Sequence, residues 1–148
     1  MKGTLAFAAA ALGLAVSSVP AVAQAPDRSV TAEYYYRIKW GSAAEFKQLY
    51  ERNHAPILRE MQKQGFILGM EVEEPFTHLA GGPRWDLRVT IRMRDAESAI
   101  GVGGEFDKAV AATTKRLYPD KEKFLAEEAR RFSLLEEHWD VIVAKVEP

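Results

Sequence analysis

The stretch Glu33-Tyr34-Tyr35-Tyr36-Arg37-Ile38-Lys39-Trp40-Gly41-Ser42-Ala43-Ala44-Glu45 decides the fold. Glu33 to Trp40 is dense in aromatic residues and reads as a strand. Gly41 ends it. Ser42 and Glu45 then have the spacing of a capping box, in which hydroxyl and carboxylate satisfy free amides at a helix start. The helix continues with Phe46, Leu49, Tyr50, Ile57 and Met61 on one stripe. Pro56 sits inside it. Proline removes an amide donor and crowds the carbonyl of Arg52, so a kink or break is expected between Asn53 and Pro56. Gly65 stops the helix.

Further along, Phe66 to Glu73 reads as a second strand, with Leu68, Met70 and Val72 opposed to Gly69, Glu71 and Glu73. Pro75, Gly81, Gly82 and Pro83 mark a loop over 74–84. Trp85 to Met93 has the clearest alternation. Trp85, Leu87, Val89, Ile91 and Met93 take one face, and Asp86, Arg88, Thr90 and Arg92 the other. Asp95 caps a short helix over Ala96 to Ile100, and Gly101 to Gly104 breaks it. Helices are expected over Glu105 to Leu117 and again after Asp120, the latter with Phe124, Leu125, Phe132 and Leu135 as its apolar stripe. Trp139 to Val146 is the last strand. The order is βαββαβ, an α+β, ferredoxin-like plan: an antiparallel four-stranded sheet with helices on one face.

The start of the chain reads differently. Lys2, an apolar run from Leu5 to Val16 and the small residues Ala21-Val22-Ala23 form a secretory signal pattern. Residues 1–23 are therefore expected to be a cleaved signal peptide. Residues 24–32 are read as a mobile leader, and 33–148 as a single domain. The apolar run is shorter than the roughly 20 residues a membrane span needs, so the mature form is expected off the membrane. Export to a bacterial periplasm follows as the expected location. The chain has 148 residues, 20 Lys and Arg, 21 Asp and Glu, and no cysteine. Disulfides are thus impossible, and the near-zero net charge gives no electrostatic case for nucleic acid.

The strand order, together with Tyr34 to Trp40 and Asn53-His54-Ala55-Pro56-Ile57, resembles the dimeric α+β barrel superfamily. That group includes EthD-like, NIPSNAP-like and antibiotic-biosynthesis-monooxygenase-type small proteins. The resemblance implies a homodimer in which two sheets join into a barrel. It also implies a ligand pocket between sheet and helices. Haem-degrading members use an Asn on the first strand, a Trp on the third and a His on the second long helix. Here Trp85 opens the third strand, but Asn53 lies on the first helix and His138 only at a helix end, so that activity does not carry over.

Several residues are candidates for chemistry. His54 sits where the helix is interrupted and can act as general acid or base, or can stabilise the break. Tyr34, Tyr36, Trp40 and Trp85 form an aromatic wall or, alternatively, core. Arg37, Glu71, Arg88 and Arg92 fall on polar strand phases. They either clamp a polar ligand or neutralise one another in a dimer lumen. His78 with Glu71, Glu73 and Glu74 has suitable metal ligand types but no compact spacing, so no metal is expected.

Three functions follow as competing expectations. The first is an exported homodimer that binds a small molecule, the ligand being unspecified. The second is a cofactor-independent oxygenase or isomerase acting on an aromatic or activated carbonyl substrate, with His54 as base and Arg37 steadying the anion. The third is a haem-binding protein; otherwise no cofactor is expected.

Overall fold

The computed structural model describes residues 26–144, apart from 78 and 83. The expected signal peptide over 1–23 and His78 lie outside the described residues. β1 (Val30–Ile38), β2 (Ile67–Glu73), β3 (Leu87–Met93) and β4 (Leu135–Val143) form one antiparallel sheet in the order β2-β3-β1-β4. With the helices between β1 and β2 and between β3 and β4, this is the βαββαβ ferredoxin-like arrangement.

Strand pleating fixes the two faces. Tyr36 and Ile38 of β1 and Leu87, Val89, Ile91 and Met93 of β3 are all buried. They pack against Phe46, Leu49, Tyr50, Leu58 and Met61 from the first helical region. Their neighbours Tyr35, Arg37, Arg88, Thr90 and Arg92 point the opposite way. One face thus carries the core under the helices, and the other is polar and aromatic.

The first strand starts earlier than its aromatic run. Val30–Ala32, expected in the leader, are part of β1, and Ala32 is buried between Ile91 and Ile142. The chain tightens there because β1 is central: Thr31 and Ala32 are paired on both sides. Just before it, Arg92 donates to Asp27 and Ser29. At the other end Lys39 and Trp40 leave the sheet before Gly41, whose φ of 81° needs glycine. β4 likewise begins at Leu135, not Trp139, because α5 runs into it through the buried Leu134. His138 is therefore a strand residue and not a helix terminus.

The helices are α1 (Ala43–Leu49), a π-helical turn (Tyr50–His54), α2 (Ala55–Lys63), α3 (Ala96–Ile100), α4 (Glu105–Leu117) and α5 (Lys121–Ser133). Asp95 and Asp120 cap α3 and α5, accepting from Ser98 N and Lys123 N. α2 ends in a Schellman motif: Phe66 N donates to Met61 O and Gly65 N to Gln62 O. The capping box is not formed. Ser42 makes no side-chain cap bond, and Glu45 is held instead by Arg130 Nε and Nη2 at 2.7 and 2.8 Å.

Pro56 explains the π turn. In a regular helix the amide of residue 56 would serve the carbonyl of Arg52, and proline has none to give. The helix widens by one residue before it, with Ala55 N reaching back to Tyr50 O. The stranded Arg52 carbonyl accepts from the Tyr118 hydroxyl at 2.8 Å. The expected break is thus a widened turn inside a continuing helix.

This arrangement predicts a conditional effect. Tyr118→Phe should lower stability by about 1 kcal/mol in the natural background. In a Pro56→Ala background, which supplies the missing amide, the same change should do little. Urea unfolding of the four combinations measures the coupling. Equal effects in both backgrounds would show that Tyr118 does not serve the proline defect.

Candidate functional site

A cavity of about 420 Å³ lies between the sheet and the helices. Sheet residues Val89, Ile91 and Met93 form its floor, with Tyr34 and Tyr36 at one end. The widened turn and α2 contribute Tyr50, His54, Ile57 and Leu58, while α4 brings Phe106 and Val110 and α5 brings Phe124 and Glu128. The walls are mostly apolar, with Tyr36, Tyr50, His54, Ser98, Asp107 and Glu128 among the polar residues set into them, a mixture common in small-molecule sites.

Tyr50 and His54, the first and last residues of the π turn, both line the cavity, and their rings lie 5.2 Å apart. Asn53, buried, donates to Glu127 at 2.9 Å and ties the turn to α5. Tyr36 is edge-on to Tyr50 at 6.1 Å and stacks flat on His138 at 4.4 Å. The His138 ring is fixed by its Nδ1 contact to the Tyr35 carbonyl at 2.9 Å.

Burial controls the titration of this cluster. His54 is pushed down from 6.5 to about 4, first by desolvation and then by the nearby Arg131 charge. Desolvation also pushes the Tyr36 hydroxyl up to about 12 and raises that of Tyr50. Near neutral pH the ring of His54 is uncharged.

Arg131 was hidden in the sequence. The expected stripe on α5 was Phe124, Leu125, Phe132 and Leu135, yet Leu125 and Phe132 are half exposed and Arg131 is 2% exposed. Its guanidinium is held by both Glu128 oxygens at 3.0 and 2.6 Å and lies 4.5 Å over the Phe132 ring. An arginine three residues from a glutamate is ordinary surface chemistry in a helix, so spacing alone gave no signal of burial.

The structure divides the remaining candidates. Tyr34, Tyr36 and His54 meet at the cavity. Trp40 and Trp85 do not: they border a separate hollow of about 310 Å³ at the end of the sheet, with Glu74, Phe76 and Arg84. Trp85 was expected on the core face of β3. Asp86 breaks that alternation. Its carboxylate accepts from Ile38 N at 2.7 Å and from Arg84, so β3 begins only at Leu87. Trp85 lies instead edge-on to Tyr35 at 6.2 Å, with Arg88 5.3 Å from its ring. Trp40 is exposed under the Arg84 guanidinium at 4.1 Å.

Arg37 and His54 are on opposite sides of the sheet, which undoes their pairing as anion clamp and base. Arg37 pairs with Glu137 at 2.9 Å and donates to the carbonyls of Arg84 and Gly82. Arg88 is bound to Glu73 at 2.7 Å, and Glu71 is exposed opposite Thr90. Tyr35 stacks on Trp139 at 5.2 Å on this same face. Of the acids grouped with His78, Glu73 is taken by Arg88 and Glu74 by Lys47. No group of three or more metal-ligating side chains is found among the described residues.

No protein-family model matches this chain, and no curated protein matches it. Solved structures do. A NIPSNAP family protein from Agrobacterium tumefaciens is 16% identical, with 85% of this chain and 93% of that one covered and a TM-score of 0.48. An EthD family protein from Bacillus halodurans is 19% identical over 80% of this chain and 99% of that one, with a TM-score of 0.43. A dimeric ferredoxin-like protein of unknown function from Thermobifida fusca is 12% identical over 79% and 91%, with a TM-score of 0.47. NIPSNAP-like and EthD-like proteins are groups that the first strand and the Asn53–Ile57 line resemble. The fold assignment itself stands on strand order and register.

The depressed His54 value makes a signed prediction. The unfolded chain takes up the His54 proton below 6.5, whereas the folded one does so only below about 4. Stability is thus full above 6.5 and falls as pH drops from there toward 4. The loss attributable to this one group amounts to about 3 kcal/mol at most. His54→Gln should flatten the upper part of that slope, where carboxylates do not yet titrate. Denaturant unfolding at a series of pH values reads it, and an unchanged slope would show that the ring is not desolvated.

Proposed function

We propose that this protein binds a small, mainly apolar molecule between its sheet and helices. The observation that carries the proposal is the cavity of about 420 Å³ whose mostly apolar walls include Tyr36, Tyr50 and His54. Its size falls in the usual range for small-ligand sites, and its mix of apolar walls with a few convergent polar groups is theirs too. Export to the periplasm belongs to this reading, on the strength of the amino-terminal pattern alone. If turnover accompanies binding, His54 is the wall residue able to move a proton, and Arg37 has no part in it.

Thermal unfolding against phenols, aryl ketones, lactones and haemin tests the proposal. At least one compound should raise Tm by several degrees near saturation. Val110→Trp, which fills the cavity from α4, should abolish that response, and Trp85→Ala should keep it. Loss of the response in Trp85→Ala, with retention in Val110→Trp, would place the ligand elsewhere.

Self-association is the second part of the proposal. The sheet face away from the helices carries Tyr35, Trp139, Val141 and Val143 among Glu33, Glu71, Arg88 and Arg92. Val141 and Val143 are 45% and 40% exposed. A face with apolar centres and interspersed charges of both signs suits a two-fold copy of itself, since acid can oppose base across the axis. Sedimentation at micromolar concentration should give a dimer, and Val141→Lys a folded monomer. A monomeric natural chain would contradict it.

A further inference from the structure

We propose that the groove between the facing sides of α4 and α5 is a second binding site, for a free single-chain amphiphile with an anionic head, an alkyl carboxylate being the simplest. The groove holds about 560 Å³ and adjoins the cavity, since Thr114 and Phe124 line both. The site is separate from the cavity reading above and does not rest on it. Helical spacing builds its walls. Ala111, Thr114, Lys115 and Tyr118 recur at steps of three and four and so share one face of α4 and its C-cap. Lys121, Phe124 and Leu125 do the same on α5. Only Tyr118, Pro119 and Asp120 join the two helices. α4 packs beside α2, and α5 beside α1 and the widened turn, so each is held by a different neighbour. The Tyr118 and Phe124 rings stack at 4.7 Å and are half-buried, while Leu125 is 52% exposed. An apolar chain laid along them would take this surface out of water. The volume is within the usual range for small ligands. A recess with its rings set in suits a single chain, whereas a bilayer surface takes up apolar side chains that protrude.

Charge selects the head. The charged residues lining the groove are Lys115 and Lys121, both exposed. Lys115 is in the last turn of α4 and Lys121 is the first residue of α5, so both stand near the turn that joins the helices. They come from opposite walls, and a carboxylate at this end of the groove can meet both. Neither forms an ion pair among the described residues, whereas Lys47 and Lys63 do. The helix dipole accounts for Lys115 at a C-terminal end. It does not account for Lys121, which opens a helix where an acid is the favoured charge. Asp120 and Glu122, on either side of Lys121 in the chain, do not line the groove. Asp120 instead caps α5 and borders a hollow with Arg52, Lys123 and Glu127. The cavity has the opposite character, its charged wall residues being Asp107 and Glu128.

Decanoate, 1-decanol and decyltrimethylammonium put three heads on one chain. Titrated calorimetrically into the natural protein below micelle formation, decanoate should bind several-fold tighter than decanol, the effect of two exposed charge contacts, and decyltrimethylammonium most weakly. The decanoate advantage should shrink as salt is raised. Lys115→Gln combined with Lys121→Gln should bring decanoate to the level of decanol and leave decanol unchanged. Ala111→Trp, which fills the groove from α4, should abolish decanoate binding. Val110→Trp, one residue earlier and on the cavity wall, should leave it intact. Circular dichroism checks that each variant is folded. A decanoate preference that survives loss of both lysines would overturn the inference. So would loss of binding in Val110→Trp with retention in Ala111→Trp, which would put the chain in the cavity. Protein that ignores free decanoate would overturn it too, and sedimentation of that protein with phosphatidylglycerol vesicles would make the groove a membrane contact instead.

Discussion

Proline 56 has no amide hydrogen, and the first helix must absorb that loss at its centre. The response is local and has three parts. The helix widens through Tyr50–His54, the Arg52 carbonyl turns to Tyr118, and Asn53 ties the turn to Glu127. The last two link the turn to the segment that runs from the end of α4 into α5. The defect therefore helps dock α4 and α5 beside the first helical region, together with the Arg116–Glu60 and Arg130–Glu45 ion pairs. Tyr50 and His54, the first and last residues of the widened turn, both line the cavity.

The sheet supplies the other boundary. A central strand paired on both sides, with alternate residues buried under helices, gives a rigid floor of Val89, Ile91 and Met93. α4 and α5 do not close over this floor completely, and the space between them is the cavity. Packing around it is uneven in kind as well as in density. Apolar contacts dominate at the floor, while buried Arg131 and Tyr50 sit beside the half-buried Glu128 and His54 at one corner. Ionic and polar groups in such a corner stabilise less than aliphatic packing of equal volume would. Their presence there points to use, in the same way that perturbed titration clusters at working sites in other folds.

Much of the architecture could be read from residue patterns. Leu87, Val89, Ile91 and Met93 alternate cleanly because β3 has one buried and one open face. Asp95 and Asp120 announce their helices because a short acidic side chain satisfies a free amide at low conformational cost. Other features depended on tertiary partners that no local window contains. Trp85 follows the alternation in sequence, but Asp86 is captured by Ile38 and Arg84 and shifts the strand start. Val30–Ala32 look like leader because three residues after a polar stretch show no alternation of their own, and their order comes from pairing with β3 and, at Thr31 and Ala32, with β4 as well. Ser42 and Glu45 have the right spacing for a capping box, but Arg130 competes for the carboxylate. Of the proposed site, His54, Tyr34 and Tyr36 were legible. Tyr50 shows in the sequence only as a member of the first helix's apolar stripe, and Glu128 and Arg131 give no sign, since charged residues on a helix are normally solvated.

The account depends on the cavity beneath the helices being the place where a guest sits. Methyl-resolved NMR with added propiophenone addresses that point directly. The account predicts intermolecular contacts from the ligand to the Ile57, Leu58, Val89, Ile91 and Val110 methyls, with Tyr50 and His54 ring shifts moving in parallel. Contacts confined to Leu79 and the rings of Trp40 and Phe76 at the sheet end, or to Val141 and Val143 on the far face, would contradict it.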